Sequence, residues 1–191
     1  MSEVTLPLVR YSAQTYMKSL EGLVDRYEHE DEPIHYKKAA TEVVDTTCSS
    51  CLRYFGDLGL INAVKQGVYV PSTPAIDYFT KIRESRKKAV GQITSLLTDD
   101  PVFTEVTFHI NEDGVKLNEL AEKTVGGLDI KKDKISKIKR AVEIFAELEV
   151  LAIDDDEVVT LTSENDPDQE QVKTEDIEPE TTAGERKKTS T

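Results

Sequence analysis

The chain has 191 residues, 38% of them hydrophobic, and a formal net charge of −13. That length suits one domain of ordinary size or two small ones, and the acidity argues against a uniformly basic protein that coats nucleic acid. Residues 1–4 carry no secretory signal pattern and no apolar run reaches the length of a bilayer span, so we expect a cytoplasmic protein without membrane contacts.

The first part of the chain predicts three helices followed by a β-hairpin. Ser12 can cap the first helix, and Gly59 is a stop signal for the third. The apolar spacing places the three helices at 12–27, 35–44 and 46–59, and the two strands at 60–64 and 68–70. We therefore expect a first module over residues 1–72.

The next ninety residues predict a second module, residues 73–162, that begins with a long linker helix. Thr73 and Pro74 start this helix, which reaches about Leu97 and also serves as the first helix of the module. Apolar residues alternate over 102–110, which indicates a strand, with a short helix as the alternative. Further helices are predicted at 117–123 and 131–149, and a hairpin at 150–153 and 158–161.

Two stretches ninety positions apart match each other. Residues 46–61 and 136–151 align without a gap, so that Phe55 meets Phe145 and Leu58 meets Leu148. Each stretch reads as an amphipathic helix and an apolar pair, and each is followed by two short β-runs around a polar turn, so that Val68 meets Val158. This repeat predicts two tandem modules of one kind.

Residues 117–151 resemble the helix-turn-helix core of winged-helix proteins. They contain a short helix with Leu-Ala-Glu-Lys at residues 120–123, a turn with Gly126 and Gly127, a long helix and an apolar pair leading into the wing. Residues 6–161 resemble an uncharacterised prokaryotic family of tandem winged-helix type. The resemblance implies an α+β fold, mainly α with short β-hairpins, and no particular chemistry. Winged helices serve DNA binding, protein scaffolding and dimerisation alike.

The third helix of each module carries the candidate DNA contacts, because winged-helix proteins usually lay this helix in the major groove. Residues 131–140 hold six basic residues and one acidic residue. The second-module candidates are Lys132, Ser136, Lys137, Lys139 and Arg140. The first-module candidates are Thr47, Ser50 and Arg53, with Lys37 and Lys38 on the preceding helix and Lys65 on the wing. A merely solvated polar face is the alternative in both modules.

The predicted wing tip of the second module argues against DNA binding there. It consists of four consecutive carboxylates, residues 154–157, which a phosphate backbone would repel. Either this wing points away from the nucleic acid or the second module binds protein. A metal site is the weaker interpretation, because consecutive carboxylates diverge in direction and lack the ligand spacing of a calcium loop.

The sequence indicates neither catalysis nor a cofactor. Cys48 and Cys51 form a Cys-x-x-Cys pair, but zinc would need two further ligands and the three histidines are scattered. The repeat aligns both cysteines with apolar residues, so buried structural thiols are favoured over a redox pair. No phosphate loop, nucleophile elbow or paired-histidine metal helix is present, and we do not expect an enzyme.

Residues 163–191 are acidic and almost free of apolar side chains, which predicts a disordered tail. The tail would serve solubility or act as a regulatory arm that competes for a basic surface. Two functions follow. The first is a transcriptional regulator that binds double-stranded DNA; the second is a protein-interaction scaffold with no direct DNA role, and a homodimer is compatible with either. The DNA-binding interpretation is favoured if the basic residues of 81–88 and 131–140 share one surface, and the scaffold interpretation is favoured if they are separated or paired with carboxylates.

Overall fold

The computed structural model describes residues 4–79 and 83–162. These residues form eight α-helices, one short 3₁₀ helix and six short strands, which is a mixed α+β fold. The strands make two separate three-stranded antiparallel sheets. Within the described part of the chain, every helix is too short or too polar to cross a lipid bilayer.

The first half of the fold consists of three helices and one sheet. Its elements are α1 (Ala13–Glu30), β1 (Ile34–His35), α2 (Tyr36–Ala39), α3 (Asp45–Asp57), β2 (Ile61–Lys65) and β3 (Val68–Pro71). Ser12 caps α1 as predicted, because its hydroxyl accepts a hydrogen bond from the amide of Thr15 at 3.1 Å. The sheet order is β1-β3-β2, so the short strand before α2 completes the hairpin sheet.

The predicted second helix, residues 35–44, is wrong at both ends. Ile34 and His35 pair with β3, and the helix ends after Ala39. The residues that follow include Thr41, Val43 and Val44, which are β-branched and favour helix less than straight side chains do. α1 approaches this segment closely, since a Cβ added at Gly22 would lie 2.3 Å from the carbonyl oxygen of Ala39.

The long linker helix predicted over 73–97 is two helices. α4 (Thr73–Tyr78) ends at Phe79, whose amide donates to the carbonyls of Ile76 and Asp77, and α5 (Arg83–Leu97) follows. The two helices contact each other, which one continuous straight helix could not do. Apolar spacing continues across the break because both helices bury one face, and this continuity produced the wrong prediction.

The second half repeats the order of the first. Its elements are α6 (Pro101–His109), β4 (Val115–Lys116), α7 (Leu117–Gly127), a 3₁₀ helix (Lys132–Lys134), α8 (Ile135–Glu147), β5 (Leu151–Ile153) and β6 (Val158–Leu161). The sheet order is β4-β6-β5. The first helix of this half is therefore α6 rather than the linker helix.

The strand favoured over 102–110 is wrong and the short-helix alternative is confirmed, because this segment is α6. The carboxylate of Asp100 caps the helix by accepting from the amide of Phe103 at 2.8 Å, and Pro101 occupies the first turn. Val102 and Val106 are four positions apart, a spacing that fits one helix face as well as one strand face. Phe108 resolves the ambiguity, since it lies outside the buried face and is 79% exposed.

The predicted repeat of helix and hairpin is present in both halves at an offset of ninety. α8 is displaced from α3 by that number at both ends. The hairpin register is also the same, because Ile61 pairs with Pro71 and Leu151 pairs with Leu161. Strands β1 and β4, which join the two hairpins as third strands, were not predicted.

A single hydrophobic core runs through both halves. Helix α8 of the second half packs directly against α1 of the first. The joining segment is tied to the second half as well, because the hydroxyl of Tyr78 donates to the carbonyl of Glu147 at 2.6 Å. The predicted acidic tail, residues 163–191, lies outside the described residues.

Candidate nucleic-acid interface

A cationic concave surface lies between α3 and the β2–β3 hairpin. It encloses about 340 Å³. Its lining residues are Tyr36, Ser49, Arg53, Ala63, Lys65, Gln66, Gly67 and Tyr69. This set, called the first-half concavity below, contains two cations and no carboxylate. Arg53 and Lys65 are exposed, and the described residues place no acidic side chain in an ion pair with either.

The local structure explains how this surface forms. The carbonyl of Gly67 at the hairpin tip accepts from the amide of Tyr36 at 2.9 Å, which fixes the start of α2 beside the hairpin. The ring of Tyr36 packs on that of His35, with centroids 4.5 Å apart. An aromatic ring, two cations and a serine hydroxyl therefore face one concave region. Such groups bind phosphate oxygens and flat polar edges.

The two predicted lysines of α2 differ in their surroundings. Lys37 is exposed and has no ion-pair partner among the described residues. Lys38 lies 2.5 Å from a carboxylate oxygen of Glu30 and 3.6 Å from one of Glu32. The ion pair with Glu30 raises the pKa of Lys38 and lowers that of Glu30. Lys37 is consequently the stronger candidate for a phosphate contact.

Thr47 and Ser50 of α3 are less accessible than predicted. Both are half-buried, and the hydroxyl of Ser50 donates to the carbonyl of Thr46 at 3.0 Å. Residues 5–8 line a cavity of about 210 Å³ together with Ser50, Arg53 and Tyr54. The N-terminal segment thus borders one side of α3, and Arg53 stands between this cavity and the first-half concavity.

Tyr16 anchors that N-terminal segment. Its hydroxyl accepts from the amide of Leu8 at 2.7 Å. Its ring packs edge-on against Tyr54, with centroids 5.6 Å apart. Burial raises the pKa of Tyr16 to about 12, against the opposing effect of the Leu8 hydrogen bond. This contact was not predicted, because Leu8 and Tyr16 belong to no recognisable motif.

Helix α8 is buried over a wider arc than its sequence predicted. Ile144 is fully buried, as are the apolar residues Ile138, Val142, Phe145 and Leu148, and the equivalent Tyr54 of α3 is buried too. Because α8 packs against α1, the side of α8 near Ile144 is closed by protein.

Arg140 lies at the edge of this packed side. Its guanidinium pairs with Glu143, its side chain is only 21% exposed, and its Nε is buried without a hydrogen-bond partner. Its charge lowers the pKa of the Tyr16 hydroxyl of α1, so Arg140 lies on the side of α8 nearer to α1. The expectation that Arg140 projects freely from α8 is therefore wrong.

The remaining candidates of the second half do not converge on one surface. Lys132 and Ser136 are exposed, whereas Lys137 and Lys139 are half-buried. Lys132 borders a cavity of about 480 Å³ that is also lined by Glu122 and Asp129. Carboxylates therefore accompany the basic residues here, in contrast to the first-half concavity.

The acidic turn after β5 has a structural role. The side-chain Oδ1 of Asp154 accepts from the amides of Asp156 and Val158, at 3.0 and 2.8 Å. Lys116 donates to the backbone carbonyl of Asp156 at 2.5 Å. These bonds define a side-chain-capped turn. The described residues contain no group of three potential ligands that could hold a metal ion.

Cys48 and Cys51 lie on the core side of α3. Both are fully buried and unoxidised. Burial raises the pKa of Cys48 to about 11 and that of Cys51 to about 12, with a Ser19 hydrogen bond acting in the opposite direction. A protonated, inaccessible thiol is neither a nucleophile nor a metal ligand.

The basic residues of α5 form a separate surface. The guanidinium of Arg86 contacts both carboxylate oxygens of Glu149, at 2.9 and 3.1 Å, just beyond the C-terminal end of α8. Lys132 precedes the N-terminal end of α8. A helix of 13 residues is about 20 Å long, so the length of α8 separates Lys132 from the pair of Arg86 and Glu149. Lys81 lies outside the described residues.

The two aromatic residues of the first-half concavity, Tyr36 and Tyr69, were not predicted as site residues. Tyr36 directly precedes Lys37 and Lys38, and an aromatic residue beside two cations was the available sequence signal. Tyr69 joins the lining because β3 pairs with β1, a pairing that the sequence did not predict.

Comparison of the chain with models of known protein families, with curated protein sequences and with solved structures finds no match.

Proposed function

We propose that this protein is a tandem winged-helix protein that binds double-stranded DNA through its first module. Each half has the element order of a winged helix, with a short strand after the first helix and a hairpin after the third. In that arrangement the third helix and the hairpin wing are the parts that meet the duplex. A role in regulating transcription is the corresponding biological proposal, and it rests on this analogy of fold.

The first-half concavity is the observation that carries the proposal. Arg53 of the third helix and Lys65 of the hairpin both line this region, and the exposed Lys37 follows the lining residue Tyr36 on the preceding helix. Phosphate contacts of this kind supply most of the affinity for DNA and position the protein on it. Ser49 and Tyr36 add hydrogen-bonding and stacking groups beside the cations.

The second module has a supporting role in this proposal. Its third helix is packed against α1, Arg140 is paired with Glu143, and its wing tip is acidic. The packing of α8 on α1 holds the first module in place. The carboxylates of the second wing keep that wing away from phosphates, since like charges repel.

The test is a fluorescence anisotropy titration of a mixed-sequence duplex with the full-length protein over a range of salt concentrations. We expect binding at low salt that weakens steeply as salt rises. Replacing Arg53 and Lys65 together by alanine should flatten the slope of log affinity against log salt by about 1.8, or 0.9 for each lost phosphate contact. The control replaces Lys18 and Lys123, two exposed lysines paired with Glu42 and Glu119, and should leave the slope unchanged.

The second candidate function is a protein-interaction scaffold. It is favoured by the acidic turn and by Phe108, an aromatic side chain that is 79% exposed on α6. Absence of duplex binding at low salt, or an equal effect of the control pair, would reject the DNA proposal and leave the scaffold.

A further inference from the structure

An apolar groove with a cationic edge lies between α5 and the second half of the fold. It encloses about 710 Å³. Val90, Gly91 and Thr94 of α5 form one side, and Phe103 of α6 and Val150 lie opposite. The groove shares no lining residue with the first-half concavity, and the proposed DNA contacts make no use of it.

Two free cations stand at one edge of the groove. Arg83 and Lys87 are exposed and one helical turn apart on α5, so they point to the same side. Neither has an ion-pair partner among the described residues. Arg86 between them already has partners, because its guanidinium binds Glu149 and also donates to the Tyr78 hydroxyl at 3.0 Å. Arg86 thereby offsets the charge of Glu149, the one carboxylate that lines the groove.

The last two described residues line this groove, so the segment that follows them starts there. Leu161 and Thr162, the last described residues, both belong to its lining, and Leu161 is 50% exposed. The next eighteen residues, 163–180, contain eight carboxylates, one lysine and two aliphatic side chains, Val172 and Ile177. This composition complements a groove whose walls are apolar and whose edge is positive.

We propose that residues 163–180 bind in this groove of their own chain. The carboxylates face Arg83 and Lys87, and the aliphatic side chains contact the wall formed by Val90 and Phe103. Because the segment starts at the groove, its attachment gives an effective concentration in the millimolar range, which compensates for weak individual contacts. The inference does not depend on the proposed DNA binding, since the groove is separate from the first-half concavity.

The test uses full-length protein with Thr174→Cys carrying a nitroxide spin label. The native Cys48 and Cys51 are buried and resist labelling, so the label attaches to the introduced thiol alone. Paramagnetic broadening of amide NMR signals then reports where the segment lies. We expect loss of the Gly91 and Thr94 signals, while the signals of Ala63 and Asn118, in the first-half hairpin and in α7, remain.

Charge reversal distinguishes the groove from a nonspecific contact. Arg83→Glu with Lys87→Glu should restore the Gly91 and Thr94 signals, and so should high salt, because exposed charges are screened. The matched control, Lys18→Glu with Lys123→Glu, should leave the broadening intact. A mixture of isotope-labelled chains without spin label and unlabelled chains with it should show no broadening.

Three outcomes would overturn the proposal. They are broadening at the first-half concavity instead of the groove, no localised broadening, and broadening that appears in the mixed sample. The last result would assign the groove to a second copy of the chain.

Discussion

Gly59 and Glu149 occupy equivalent places in the two halves and share a left-handed backbone, with φ of 77° and 61°. Each follows a third helix, and each amide donates to the carbonyl three residues earlier, that of Gly56 at 3.1 Å or of Ala146 at 2.9 Å. Glycine adopts this conformation without strain, whereas a residue with a Cβ does not. The second half therefore keeps strain that the first half avoids, and Glu149 gains the ion pair with Arg86 in exchange.

This difference can be measured by substitution at both positions. Gly59→Ala should destabilise the protein by about 1 kcal/mol, since nothing within 4 Å of an added Cβ would clash and only the backbone is strained. Glu149→Gly should be more stable than Glu149→Ala by about 1 kcal/mol, because both lose the Arg86 pair and only the alanine keeps the strain. Urea denaturation gives both values, and equal stability of the two Glu149 variants would contradict the prediction.

Gly22→Ala should be more damaging than Gly59→Ala. The added Cβ would meet the carbonyl oxygen of Ala39 at 2.3 Å, and this neighbour is backbone, which cannot rotate away. We expect a loss of roughly 1–3 kcal/mol from forcing α1 away from α2, although alanine is the better helix former. The melting temperature of this variant should fall below that of Gly56→Ala, whose Cβ would have only an ordinary contact at 3.9 Å.

The buried cysteines predict a loss of stability at alkaline pH. Their pKa values are raised in the folded state, to about 11 for Cys48 and about 12 for Cys51. Between the ordinary thiol pKa and these values the unfolded chain releases protons that the folded chain retains. The free energy of unfolding should therefore be constant below the ordinary value and fall as pH rises through the folded values.

Replacing both cysteines by alanine should flatten this alkaline decline while costing roughly 1–3 kcal/mol at neutral pH through cavity formation. Tyr16 and Tyr78, whose pKa values burial also raises to about 12, should preserve part of the decline. Urea denaturation across the alkaline range tests the slope. Stoichiometric zinc in purified protein that disappears in the double variant would contradict the structural role of the thiols.

Local patterns sufficed for the elements that repeat. The matched apolar residues around Phe55 and Phe145 predicted a helix and a hairpin in each half, and both are present. Prediction failed where the spacing of apolar residues fits both a helix and a strand. Val102 and Val106 are four positions apart, which places them on one face of either element. Prediction also failed at the break after Phe79, because both flanking helices bury a face and the apolar spacing runs on.

The candidate surface was only partly predictable for a different reason. Arg53 and Lys65 were identified from their positions on the third helix and the wing, which local sequence determines. The pairing of Arg140 with Glu143, its contact with α1 and the covering of Ser50 by the N-terminal segment depend on tertiary packing. A helical wheel cannot show that another helix or the N-terminal segment closes part of a polar face.

Arg140 provides the last test, because its sequence suggested a DNA contact and its surroundings suggest packing. Arg140→Ala removes the side-chain stem from the contact between α8 and α1 and leaves Glu143 without its partner, so we expect a loss of about 1–2 kcal/mol. Arg140→Met keeps most of the volume and removes the buried, unpartnered Nε, so its stability should lie closer to that of the natural protein. Lys139→Ala serves as the neighbouring control and should alter stability little.

The same two positions test the DNA interface. Since neither Arg140 nor Lys139 belongs to the first-half concavity, the salt dependence of duplex binding should be unchanged in Arg140→Met and Lys139→Ala. If either variant flattens the slope of log affinity against log salt by about 0.9, α8 makes a phosphate contact and belongs to the DNA interface.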